Sequence, residues 1–78
     1  MSDQNNQHRQ VPHYSMVIEW SDADDAFIVS VPEFPGQHTH GVTYEEAVRQ
    51  GHDLIDSLIM WTLRDGNPLP QPRVFSIP

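Results

Sequence analysis

The stretch TYEEAVRQGHDLIDSLIMWTLRDG, residues 43–66, decides how the rest of the chain must be arranged. Thr43 stands three residues ahead of Glu46, a capping-box pattern. The threonine oxygen accepts from the Glu46 backbone N–H, and the Glu46 carboxylate reaches back to the cap. Glu45 and Glu46 sit at the positive end of the helix dipole, and Glu45 to Arg49 is the favourable i,i+4 order. Behind this start, Tyr44, Ala47, Val48, Gly51, Leu54, Ile55, Leu58, Ile59 and Thr62 recur at helical spacing as one apolar stripe. Arg49, Asp53, Asp56, Ser57 and Arg64 lie opposite. Gly66 fits the C-terminal stop, and Pro68, Pro70 and Pro72 prevent the helix from resuming. A single amphipathic helix is predicted, and its stripe needs a surface to cover.

That surface lies upstream. Tyr14, Met16, Ile18 and Trp20 alternate with Ser15, Val17 and Glu19, the period of a strand. Ser21-Asp22-Ala23-Asp24-Asp25 reads as a turn. Ala26 to Val31 follows as a β-branched and aromatic run, with Phe27, Val29 and Val31 on one face, so the two runs predict an antiparallel hairpin. Pro32-Glu33-Phe34-Pro35-Gly36 ends the second strand, because two prolines remove ladder donors and Gly36 permits a sharp reversal. Gln37 to Gly41 allows a short third strand with His38 and His40 on one face, and Arg73 to Ile77 a last one carrying Val74 and Phe75. The fold class expected is α+β: a small antiparallel sheet of three to four strands with one long helix packed on one face, in the order β-β-β-α-β. Gly51 within the stripe costs about 1 kcal/mol of helix propensity against Ala, so a close approach of helix to sheet is expected there. One helix covers one sheet face. The other carries Val17 and Ile28, which leaves apolar surface for a second chain.

Composition narrows the function classes. The chain has 78 residues, a formal charge of −7 and no cysteine. Residues 1–13 read as a polar, disordered tail and residues 14–78 as a single domain. So small a domain, without disulfides, is expected to self-associate as a homodimer or higher oligomer. Its cations are the scattered Arg9, Arg49, Arg64 and Arg73, which argues against direct nucleic-acid binding. No apolar run is long enough to span a bilayer, and the N-terminus lacks the apolar region of a secretory signal, so a cytoplasmic protein is expected.

The chemical motifs are weak. Asp22, Asp24 and Glu33 match three positions of a calcium loop, but Ala26 and Phe27 fall where that loop needs an oxygen ligand and a glycine. Two-metal nuclease chemistry needs carboxylates converging from several elements, whereas Glu19, Asp22, Asp24 and Asp25 are local in sequence. His38 and His40, with His13 or His52 nearby, have metal-ligand chemistry, yet two histidines at i,i+2 are ordinary on a polar strand face. Five histidines also give a capacity to sense pH near neutrality. The serines lie outside any nucleophile elbow, and the isolated glycines make no phosphate cradle. No catalytic, cofactor or metal residue is therefore assigned. Met60 lies away from the stripe beside the flanking Trp61, a pairing of the kind enriched at protein contacts.

Four segments resemble the HicB-like antitoxin family of bacterial type II toxin–antitoxin systems. They are Tyr14-Ser15-Met16-Val17-Ile18-Glu19-Trp20; Ala26-Phe27-Ile28-Val29-Ser30-Val31-Pro32-Glu33-Phe34-Pro35-Gly36 after its acidic turn; Gly41-Val42-Thr43-Tyr44-Glu45-Glu46-Ala47; and Asp65-Gly66-Asn67-Pro68-Leu69-Pro70-Gln71-Pro72. They occur in family order between Tyr14 and Pro72, and Gln37 replaces a cysteine common after the Pro-Gly. The resemblance implies a truncated, partial RNase H-like domain that is not an enzyme. It further implies a small basic HicA-type ribonuclease toxin, expected to be encoded nearby, as the partner that the domain binds and neutralises by occlusion. Full antitoxins of the family usually add a DNA-binding domain, and this sequence is expected to be a stand-alone member without one. Partner-binding candidates are Glu19, Asp22, Asp24 and Asp25, and separately Asp53, Asp56, Met60 and Trp61; Val17 and Ile28 are the candidates for an oligomer face. The alternatives are an orphan adaptor with a ligand on the open sheet face, and the disfavoured metal-dependent nuclease.

Overall fold

The computed structural model describes residues 12–76. Strands β1 (Val17–Ser21), β2 (Ala26–Ser30) and β3 (His38–Gly41) form one antiparallel sheet in the order β1-β2-β3, followed by helix α1 (Tyr44–Arg64). This is the small α+β arrangement expected. Of the expected tail, residues 1–11 lie outside the described residues, and Pro12 and His13 have no regular structure. The sheet has three strands: residues 67–76 form none, and Ile77 lies outside the described residues. Pro68, Pro70 and Pro72 supply no ladder donors, and the Arg73 N–H is taken by the Glu33 carboxylate at 2.8 Å, which leaves this segment poorly equipped to pair.

The β1–β2 hairpin pairs Ser21 with Ala26 across a four-residue turn. Asp25 closes the turn at φ +53°, in the left-handed region that Asp tolerates better than most residues. Ser21 fixes it, accepting from the Asp24 backbone N–H at 3.2 Å while its hydroxyl donates to the Asp24 carboxylate at 2.9 Å. Alternation along the strands divides the sheet. Phe27 and Val29 face α1, as do Met16 and Trp20; Val17, Glu19, Ile28, His38 and His40 face away.

The core forms where α1 crosses the sheet. Ala47, Gly51, Ile55 and Leu58 are the buried helix residues, a narrower line than the stripe in the sequence, and Val29 and Val31 are the largest side chains fully buried. Tyr44 and Val48, two members of the stripe, remain exposed although Ala47 between them is fully buried. The cap forms nearly as expected. Thr43 Oγ1 accepts from the Glu46 N–H at 3.0 Å, but the Glu46 carboxylate accepts from Val42, one residue before the cap, at 2.6 Å. At the other end, Gly66 N–H donates to Leu63 and Asn67 N–H to Thr62, both at 3.0 Å. With Gly66 at φ +79° these bonds complete a Schellman motif.

Two glycines set the distance between helix and sheet. A Cβ on Gly51 would meet Met16 Sδ at 2.6 Å and Val29 Cγ1 at 3.1 Å, which bears out the close approach read from the sequence. A Cβ on Gly41 would lie 2.5 Å from the backbone nitrogen of Ala47 and 2.8 Å from its Cα. The obstacles differ in kind. Met16 is a flexible side chain, and alanine at 51 also recovers about 1 kcal/mol of helix propensity. The Ala47 backbone is fixed inside the first turn of α1. Gly41→Ala is therefore expected to destabilise the fold by about 2 kcal/mol or more, and Gly51→Ala by less than about 1 kcal/mol. Urea unfolding of the two variants tests this; equal losses would show that backbone contact does not control the packing distance.

Candidate partner-binding surface

The densest polar cluster sits at the end of the sheet where both terminal segments meet, and sequence reading passed over it. The Glu33 carboxylate accepts from the Ser15 backbone N–H at 3.0 and 3.2 Å, from the Ser15 hydroxyl at 3.0 Å and from the Arg73 backbone N–H at 2.8 Å. One side chain thus ties residues 15 and 73 to the turn after β2. Beside it, the Tyr14 hydroxyl donates to the Pro70 carbonyl at 2.7 Å, and the Tyr14 ring meets Phe34 edge-on at 5.2 Å. Partial burial raises the carboxyl pKa of Glu33, but the bonds from Arg73 and Ser15 outweigh it and hold the group below its ordinary value. Desolvation, and then the charge of Glu33, raise the Tyr14 phenol. The signal is the polar Glu33 between two prolines, which the sequence offered as a strand end and as one position of a disfavoured calcium loop.

The sheet face turned away from α1 is uncovered by any other described element. Glu19, Ile28 and His40 form one row across the three strands, and Val17, Ser30 and His38 form the next. Two shallow recesses of about 280 Å³ open on this side, one lined by Asp24, Ala26, Ile28, His38 and His40, the other by Ser15, Val17, Pro32 and Arg73 to Phe75. Each falls just below the range of about 300–1,000 Å³ typical of small-molecule sites. His38 and His40 share a face as the sequence predicted, and among the described residues no group of three or more His, Cys, Asp or Glu is placed to hold a metal ion. Val17 is exposed and Ile28 half-buried, while Val74 and Phe75 stand 82% and 87% exposed at the rim.

The acidic candidates do not form one cluster. Glu19 lies on the open face, opposite Ile28. Asp22 accepts from Trp20 Nε1–H at 2.7 Å on the helix side, Asp24 is bound to Ser21, and Asp25 closes the turn. Asp53 and Asp56 are exposed along α1, where Met60, Trp61 and also Leu63 are exposed apolar residues. The sequence reading did not single out Leu63 or Tyr44.

The chain matches the model of the HicB-like antitoxin of bacterial toxin–antitoxin systems over residues 14–76, and it belongs to that family. No curated protein and no solved structure gives a significant match. Membership implies an antitoxin role with a toxin of some kind as partner, and suggests a regulatory function without catalysis. Among the described residues no helix is long and apolar enough to cross a membrane.

The Glu33 cluster gives a pH dependence of definite sign. Its depressed folded pKa contributes stability that is fully present above the ordinary carboxyl value of 4.5 and is lost as pH falls through the lower folded value. Glu33→Gln is expected to lower the Tm at pH 7 by several degrees, the scale of about 1 kcal/mol in a domain this small, and to flatten the decline of Tm between pH 5 and 3. The Ser15 and Arg73 amides should exchange faster in the variant. An unchanged acid slope with unchanged exchange would mean that the carboxylate does not hold the two segments.

Proposed function

We propose that this chain is the antitoxin of a pair whose toxin is a small basic HicA-type ribonuclease, and that it neutralises the toxin by covering its active face. The observation that carries the reading is the one-signed charge of the sheet and helix start in a member of this family: from Tyr14 to Val48 there are seven carboxylates and no lysine or arginine. A ribonuclease must attract phosphate, so its working face is cationic. An acidic partner is drawn to that face, associates faster for it and displaces substrate. On this reading Glu19, Asp22, Asp24, Asp25, Asp53, Asp56, Met60 and Trp61 supply partner contacts, and the chain itself performs no catalysis. The sheet-and-helix unit then stands for the truncated RNase H-like core expected of the family, within a single domain of residues 14–78 acting in the cytoplasm. The uncovered sheet face supports pairing of copies through Val17 and Ile28.

Two measurements test this. Affinity purification from the native host should recover a small cationic protein encoded next to this gene, and co-expression should relieve the growth arrest that protein causes. Neutralising the turn (Asp22→Asn, Asp24→Asn, Asp25→Asn together) should slow association about tenfold at low salt and much less at high salt. The absence of a basic neighbour, with nothing basic co-purifying, removes the antitoxin reading. Separately, sedimentation at micromolar concentration should give more than one chain per particle, and Ile28→Asp should shift it towards monomer; a monomeric native chain would refute the pairing.

A further inference from the structure

The rings of Trp20, Phe27 and Tyr44 form a row that no described element covers. Trp20 and Phe27 are direct cross-strand partners with ring centres 5.0 Å apart at 75°, and Tyr44, the first residue of α1, stacks on Phe27 at 4.3 Å and 28°. Phe27 is held between the other two. Trp20 is nevertheless 49% exposed and Tyr44 63% exposed, so both outer residues stay open to solvent. The indole is also fixed in orientation, because its N–H donates to the Asp22 carboxylate at 2.7 Å. An exposed aromatic row with an anion bonded to its edge is a costly feature to leave in water, and aromatic residues of this kind concentrate at interfaces.

We propose that this row and Asp22 form a docking platform for arginine side chains of a basic protein partner. A guanidinium is planar, lies flat on an indole or phenol ring and is weakly hydrated, so it gains from the ring face and the neighbouring carboxylate together. An ammonium gains the charge but not the stacking. The charge around the platform selects the same partner: Asp24, Asp25 and Glu45 are exposed close by in sequence, and the stretch from Tyr14 to Val48 that carries the three rings contains no arginine or lysine. Nucleic acid is repelled by the same charges. That the partner is a toxin rests on the proposed function; the arginine chemistry of the surface does not.

The test uses the full chain carrying Trp61→Phe, which leaves Trp20 as its one tryptophan. Titration with a hexa-arginine peptide should shift the Trp20 emission, and a hexa-lysine peptide of equal charge should bind about fivefold more weakly. With a labelled hexa-arginine peptide read by anisotropy, Asp22→Asn and Tyr44→Ala should each weaken binding about fivefold, while Asp65→Asn, the same charge change at the far end of α1, should alter it less than twofold. Tyr44 is exposed, so its variant is expected to fold, and circular dichroism checks this. Equal affinity for the two peptides, or equal losses for Asp22→Asn and Asp65→Asn, would reduce the effect to net charge and overturn the platform. Emission that follows chain concentration and ignores the peptide would assign the rings to a second copy and overturn it too. Growth rescue against the toxin by a chain that fails this titration would keep the antitoxin role and remove the platform; the reverse result would keep the platform and remove the toxin as its occupant.

Discussion

The closeness of α1 to the sheet governs the rest of this structure. The one helix and three short strands among the described residues have little apolar surface to bury, so each contact between the two layers must be short. Gly41 and Gly51 make it so at two places, the first beneath the backbone of Ala47 and the second against Met16 and Val29. Between them Val29 becomes fully buried and Ala47 loses all exposure. The same geometry seats Ala47 in the core and leaves Tyr44 exposed, stacked on Phe27.

Glu33 solves a different problem. Residues 12–16 before β1 and 65–76 after α1 have no ladder partners, and residues 68–72 include three prolines. A carboxylate with several lone pairs can accept from two chain segments at once, and charge-assisted bonds are stronger than neutral ones. The result holds the N-terminal and C-terminal stretches side by side, with Tyr14 and Pro70 bonded next to them. It also brings Arg73 to Phe75 to the margin of the open sheet face, where Val74 and Phe75 project.

The distribution of charge links the fold to the antitoxin family. Among the described residues the carboxylates do not gather into a group placed to hold a metal ion. They spread over the hairpin tip, the open face and the outer side of α1, each with solvent or a neutral donor beside it. Such a surface suits attraction of a cationic protein better than chemistry on a small substrate. Exposed apolar groups, among them Trp20, Tyr44 and Trp61, interrupt the charges and offer contact area where attraction alone would give only a loose encounter.

Most of the architecture could be read in one dimension. The alternation at Tyr14 to Trp20 and Ala26 to Val31, the cap at Thr43 and the stop at Gly66 are signals carried by neighbouring residues, because strand period, helix period and capping are local physics. The split of Val17 and Ile28 from Val29 followed from the same alternation. Sequence also gave the sign of the charge, since formal charge needs no coordinates. Only the tertiary structure decided the rest. It separated Glu19 from Asp22, neighbours in sequence, onto opposite sides of the sheet. It joined Ser15, Glu33 and Arg73 across long stretches of chain, and it aligned Trp20, Phe27 and Tyr44 from three elements. Those groupings depend on strand register and on the distance between helix and sheet, which arise when the whole chain closes on itself and have no signature in any single segment.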